Sequence, residues 1–245
     1  MLKYLLIFLL FLFSNTGYAK NYAYIDSKAE QAPSVILQEN FDDLIQELTA
    51  NYSKDEDKAR SILAWIVKNI DYDNYRYNKM IEKIKRKFSS KDFSVPTSDI
   101  LTVHLGICDD IAALYVKMAQ KAGLKARVVS GYAGHNLTRS TYKENPHSWV
   151  IVTIDEKEKF IDPTWAIQGG VQDATKDIKN NTAYQKELEH REKKKFKPQK
   201  ERFIDNDWFL TKPKDMIKTH FPKEEKDQLL THPISLSIFL IRSNL

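Results

Sequence analysis

The chain holds one cysteine, Cys108, in Gly106-Ile107-Cys108-Asp109-Asp110. Downstream stand His147, in Pro146-His147-Ser148-Trp149, and Asp162, in Ile161-Asp162-Pro163-Thr164. A thiol, an imidazole and a carboxylate in that order are the parts of a nucleophilic thiol site. The thiolate attacks, the imidazole carries the proton, and the carboxylate orients the imidazole. Such a thiol needs surroundings that favour its anion. The start of a helix offers partial positive charge and free amides, and an imidazolium adds more. The same amides can receive the oxyanion formed when an acyl group is attacked. A lone cysteine is more usually an inert core residue. A position just after Gly106, at a helix start and beside two aspartates, is a poor core environment and favours an accessible, reactive thiol.

Six histidines compete for the role of base. His190 and His232 lie in polar or turn contexts, His135 in a Gly-flanked loop, and His104 too close before Cys108. His220 is placed in a late helix. His147 opens an apolar strand, which fixes its backbone. Side chains alternate along a strand, so His147, Trp149 and Ile151 share one face. A hairpin turning at Asp155-Glu156 pairs residue 154 with 157 and 149 with 162. Asp162 then lies on the face of His147, about 7–8 Å away diagonally. A turn at Glu156-Lys157 keeps the face but moves Asp162 opposite Ile151. Parity favours the pairing either way, and register stays open.

The elements that must carry these residues follow from periodicity. Asn40 offers a cap for a helix through Phe41, Leu44, Ile45 and Leu48. Ser53-Lys54-Asp55-Glu56 reads as a capping box. Ala59, Ile62, Leu63, Ile66, Val67 and Ile70 then form the apolar stripe of an amphipathic helix. Residues 20–39 show no clear period. Residues 73–95 are basic and Tyr-rich and read as a surface excursion. A short helix to about His104 is broken by Gly106. A second begins at Cys108, carries Ile111, Ala112, Tyr115, Met118 and Ala119, and stops at Gly123. Strands are expected over 126–132, 147–154 and 159–162. Helices followed by an antiparallel sheet make an α+β layout. Trp65 is assigned to the core, and no side-chain oxyanion donor is assigned.

Composition bounds the rest. The chain has 245 residues, 42% hydrophobic and 29% charged, with formal net charge +5. That suits one globular domain, or one domain with an extension. The excess charge is modest, and the run Lys193-Lys194-Lys195 is interrupted by Glu187, Glu189, Glu192 and Glu201, so no nucleic-acid partner is expected. Lys3 followed by the apolar run 5–13 and Gly17-Tyr18-Ala19 reads as a signal peptide over residues 1–19. The run is too short to span a bilayer, as is 236–241. A secreted or periplasmic location follows, with no integral membrane span once the signal is removed. There is no His-Glu-x-x-His, no cysteine pair, no calcium loop and no phosphate-binding Gly-rich loop, so neither metal nor cofactor is expected.

Taken together, several segments resemble the transglutaminase-like superfamily, whose papain-like fold carries Cys, His and Asp in this order. They are residues 65–73 (Trp65 to Asp73), Gly106-Ile107-Cys108, residues 122–132 (Ala122 to Tyr132), His147-Ser148-Trp149 and Asp162-Pro163-Thr164-Trp165. Residues 206–213 (Asn206 to Pro213), His220-Phe221-Pro222 and Gln228-Leu229-Leu230 extend the likeness to the kyphoscoliosis peptidase-like branch. The resemblance implies a catalytic Cys at a helix N-terminus packed on an antiparallel sheet that carries His and Asp. It implies Cys108 as nucleophile, His147 as base and Asp162 as orienter, acting on a peptide or amide bond of a protein or peptide as peptidase or acyl transferase. The alternative is an inactive binding module of the same fold. Two departures stand out: Ser148 where Ala is common, and Asp109-Asp110 where Gly and an aromatic are common. The expected organisation is a leader over 1–19, a core domain over 20–170, a charged linker or helix over 171–202, and an extension packed on the core over 203–245.

Overall fold

A computed structural model of the protein describes residues 21–33, 40–85, 97–168, 175, 177–193 and 202–242. The expected leader lies outside the described residues. The apolar stripe of helix α3 (Asp55–Asn69) is buried along its length, with Ala59, Ile62, Leu63, Trp65 and Ile66 at 4% exposure or less. Against it lie α1 (Ala23–Gln31), α2 (Phe41–Thr49) and α6 (Cys108–Lys121). Between α3 and α6 come strand β1 (Asp71–Tyr72), α4 (Asn74–Lys85), α5 (Thr97–Val103) and β2 (Leu105–Gly106). Gly123, with φ +85°, ends α6 in a left-handed conformation that glycine adopts without a Cβ clash.

The sheet follows. It contains β3 (Ala126–Ala133), β4 (Pro146–Ile154) and β5 (Lys157–Ile161). After β6 (Ile167–Gln168), α7 (Asn181–Lys193) and β7 (Phe203–Ile204) come β8 (Phe209–Thr211), α8 (Pro213–Met216), β9 (His220–Pro222) and α9 (Leu236–Arg242). Among the described residues the main sheet is antiparallel with order β8-β5-β4-β3-β9. The central strand β4 is buried on both faces. Val150, Val152 and Ile154 join the core of α3 and α6, while Trp149 and Ile151 pack with Val129, Phe160 and Met216 on the other side. The α+β architecture is the one expected.

Asp155 and Glu156 both have positive φ, 47° and 62°, as a type I′ hairpin requires. That two-residue turn pairs Ile154 with Lys157 and Val150 with Ile161, so the first of the two registers holds. Asp162 follows directly, with its N–H donating to the Trp208 carbonyl at 3.0 Å.

Several expectations fail locally. Residues 23–31 form a helix, α1, with only Ile25 and Ala29 buried. Its docking comes from a distant partner: Arg60 of α3, 2% exposed, grips the Asp26 carboxylate with Nε and Nη2, both at 2.7 Å. The capping box does not form. Helix α3 starts at Asp55, and the Glu56 carboxylate is taken by the Tyr22 hydroxyl at 2.7 Å. Asn40 precedes α2 without a side-chain capping bond. The supposed surface excursion contains α4, whose Arg76 is buried against Asp110 at 2.7 Å. Within the stretch expected as a charged linker or helix, α7 is a helix, and its Tyr184 and Arg191 bond Asp73 and Asp71 at either end of β1. His220 lies in strand β9, not in a helix.

Candidate active site

Cys108 is the first residue of α6. The loop before it is fixed from both sides: the Ile107 N–H donates to the Asp110 carboxylate at 3.0 Å, and that carboxylate is paired with Arg76. The thiol is 3% exposed, so the openly accessible group expected from sequence is instead buried. Beside it lies a cleft of about 580 Å³ lined in part by Tyr72, Asn74, Tyr77, His147 and Trp165. Its walls carry no Asp, Glu, Lys or Arg among the described residues.

His147, at the start of β4, presents Nε2 to Asp162 Oδ2 at 2.6 Å. With Nε2 so engaged, Nδ1 is the ring nitrogen left for Cys108, whose sulfur lies beside the imidazole. Burial disfavours a charged imidazole here, but the Asp162 charge and the Cys108 sulfur outweigh it and push His147 up to about 10. Asp162 Oδ1 accepts from the Thr164 and Trp165 N–H groups at 2.9 and 3.0 Å, the turn that Asp-Pro-Thr-Trp encodes. Burial would raise this carboxyl, yet His147 and the surrounding hydrogen bonds hold it well below the usual carboxylate range. The structure thus brings together all three residues singled out from the sequence. A thiol, an imidazole and a buried carboxylate lie in one cluster.

The profile of the Transglutaminase-like superfamily matches residues 42–163, which span all three. The chain belongs to the transglutaminase-like superfamily. It is 28% identical to mouse kyphoscoliosis peptidase over 88% of this chain, and 29% identical to the human protein over 85%. These place it in the kyphoscoliosis peptidase-like branch. The chain spans little more than a quarter of their length, 28% and 27%. A crystal structure described as a TGase superposes with TM-score 0.41 and 16% identity, over 70% of this chain and 39% of that one.

Two departures from the superfamily pattern meet each other. The Ser148 hydroxyl donates to Asp109 Oδ1 at 2.9 Å, which ties the residue after His147 to the residue after Cys108. Side chains alternate, so Ser148 faces α6 while His147 faces Trp149 and Trp165.

Two residues of this transglutaminase-like site escape the sequence reading. The Tyr72 hydroxyl lies beside Cys108, and burial first, then the Cys108 charge, pushes the phenol well above its usual value. Parallel pairing of Tyr72 with Gly106 puts it there. The motif Asn69-Ile70-Asp71-Tyr72-Asp73 was the available signal. The other is His220, whose Nε2 also reaches Asp162 Oδ2, at 2.9 Å. The donor atoms of His147, Asp162 and His220 lie within 4.8 Å of one another. Both ring nitrogens already bond one carboxylate oxygen, so the cluster is a hydrogen-bond network.

Proposed function

We propose that this chain is an exported thiol enzyme that acts on peptide or amide bonds, with Cys108 as nucleophile, His147 as proton carrier and Asp162 as orienter. The observation that carries this reading is the short His147–Asp162 bond, with the thiol at the other face of the imidazole and at the start of α6. The Cys108 sulfur attacks the substrate carbonyl carbon. The oxyanion meets the Cys108 N–H and the Tyr72 hydroxyl. The C–N bond breaks, the amine leaves with the proton held by His147, and a thioester remains. Water or a second amine then attacks the thioester, returns a proton to His147 and frees the thiolate. Apart from His147, the cleft wall carries no charged side chain among the described residues, which suits a neutral amide rather than a charged acyl group.

Labelling of Cys108 with iodoacetamide across pH tests the site without a known substrate. His147 keeps its proton up to about 10, so the cation beside the sulfur persists through neutral pH. Wild type should label nearly as fast at pH 7 as at high pH, and His147→Ala should lose mainly the neutral-pH reaction. Labelling that rises only through the ordinary thiol range near about 8.5, unmoved by His147→Ala, would favour a binding module instead.

Export rests on the apolar run 5–13 and the small residues before position 20. Among the described residues, no helix is long and apolar enough to cross a membrane. Amino-terminal sequencing of the mature protein should begin near Lys20; a mature chain starting at Met1 would overturn export.

A further inference from the structure

His220 is 1% exposed and is boxed by aromatic rings, with Trp149, Trp165 and Trp208 at centroid distances of 5.1, 4.6 and 5.2 Å. Its Nε2 is 2.9 Å from Asp162 Oδ2 and its Nδ1 is 2.8 Å from the Thr219 hydroxyl. The tautomer follows from the partners. A carboxylate oxygen can only accept, so the proton sits on Nε2. Nδ1 is then the acceptor, and the Thr219 hydroxyl donates to it. Asp162 is wholly buried, and an ion in that position is tolerated only if its oxygens are hydrogen-bonded. Two backbone amides serve Oδ1, and His147 and His220 serve Oδ2.

We propose that His220 is a positioning residue: its Nε2–H holds the Asp162 carboxylate ionised and turned toward His147, which makes strand β9 a part of the site. The role rests on the thiol-enzyme reading above. A neutral donor suits it, since a second cation beside His147 would be repelled. Burial, opposed by Asp162, draws His220 down to about 4, so it stays neutral while His147 stays charged. The fold is shaped for this approach. Strand β9 pairs with β3, and Gly131 lies opposite Pro222. A Cβ at Gly131 would come within 2.2 Å of the Phe221 carbonyl and 2.6 Å of the Trp149 ring, so only glycine lets β9 close over Trp149. The charged groups facing His220 are Asp162 and His147, with His135 adding a weaker repulsion.

The test compares the full chain with its His220→Leu, His220→Gln, Thr219→Val and Asp162→Ala variants. Iodoacetamide labelling of Cys108 is followed across pH, and melting is recorded on the same samples. Gln can present an N–H where Nε2 stood. A hydrogen bond to a charged group is worth about tenfold or more, so His220→Leu should label at least about tenfold more slowly at neutral pH, approach wild type at high pH, and resemble Asp162→Ala. His220→Gln should keep the wild-type profile. If His220→Leu melts cooperatively and labels like wild type, or if Gln fails as badly as Leu, the proposal falls. Should His220→Leu not fold, Thr219→Val decides. Loss of the hydroxyl leaves the buried Nδ1 without its donor and loosens the ring that aims Nε2–H at Asp162, so neutral-pH labelling should drop in the same direction, and an unchanged profile overturns the role. A His147-dependent profile indifferent to His220 sinks this proposal alone. A wild type that behaves as an ordinary thiol sinks both.

Discussion

At the scale of single residues, the site divides labour among groups whose surroundings push them apart. Two imidazoles share one carboxylate oxygen, yet one is held charged and the other neutral. His147 has the Cys108 sulfur beside it as well as Asp162, whereas His220 has Asp162 alone among the rings. Tyr72 has a different task. Its hydroxyl lies beside Cys108, and in the proposed mechanism it joins the Cys108 N–H where charge develops on the attacked carbonyl oxygen. Tyr72→Phe removes that donor and keeps the ring. Loss of one such donor costs about 10²–10³ in kcat, so turnover of an amide substrate should fall by about that factor while neutral-pH alkylation of Cys108 changes little. Alkylation forms no oxyanion, so the two readouts separate. Equal losses in both would mean that Tyr72 acts on the thiol itself.

At the scale of elements, what the sequence displays is local, and what it conceals is made by distant contacts. The stripe of α3, the start and stop of α6, and the apolar run of β4 are local signals, so they are legible. The hairpin register was open between two turns. Only the structure, with Asp155 and Glu156 at positive φ, selects the first. Helix α1 has just two buried positions and is held by the Asp26–Arg60 pair 34 residues away, so no window around it contains the cause. The place of His220 in a strand beside Asp162 was hidden for the same reason. Strand β9 has three residues, too few for a period, and its pairing depends on a glycine in β3. Helix α7 carries little apolar surface and reads as solvated. Its Arg191 nonetheless bonds Asp71 at 2.9 Å, and Arg202 beyond it bonds the same carboxylate. These clasps hold β1, and β1 holds Tyr72 beside Gly106.

At the scale of the molecule, the distant ends of the described chain close on the same core. Arg60 holds Asp26 with one edge of its guanidinium and Asn206 with Nη1 at 2.7 Å, while the Tyr22 and Phe209 rings lie 4.5 and 5.1 Å from it. Strands β8 and β9 form the two edges of the main sheet, so residues 203–242 flank it on both sides. We infer that this segment belongs to the folding unit of the core rather than to a tether. Phe209, Met216 and Phe239 are at most 7% exposed. Each such side chain contributes about 1.5–3 kcal/mol on burial. Their sum rivals the roughly 5–15 kcal/mol that holds a typical domain together. Truncation after Arg202 also strips the Trp208 carbonyl and His220 from Asp162, and leaves both sheet edges unpaired. The shortened chain should therefore lose cooperative melting or become insoluble, with Cys108 reverting to ordinary thiol reactivity. Calorimetry on the two chains decides. An unchanged, cooperative transition in the truncated protein would show that residues up to 202 fold alone, and that the C-terminal segment is an appendage.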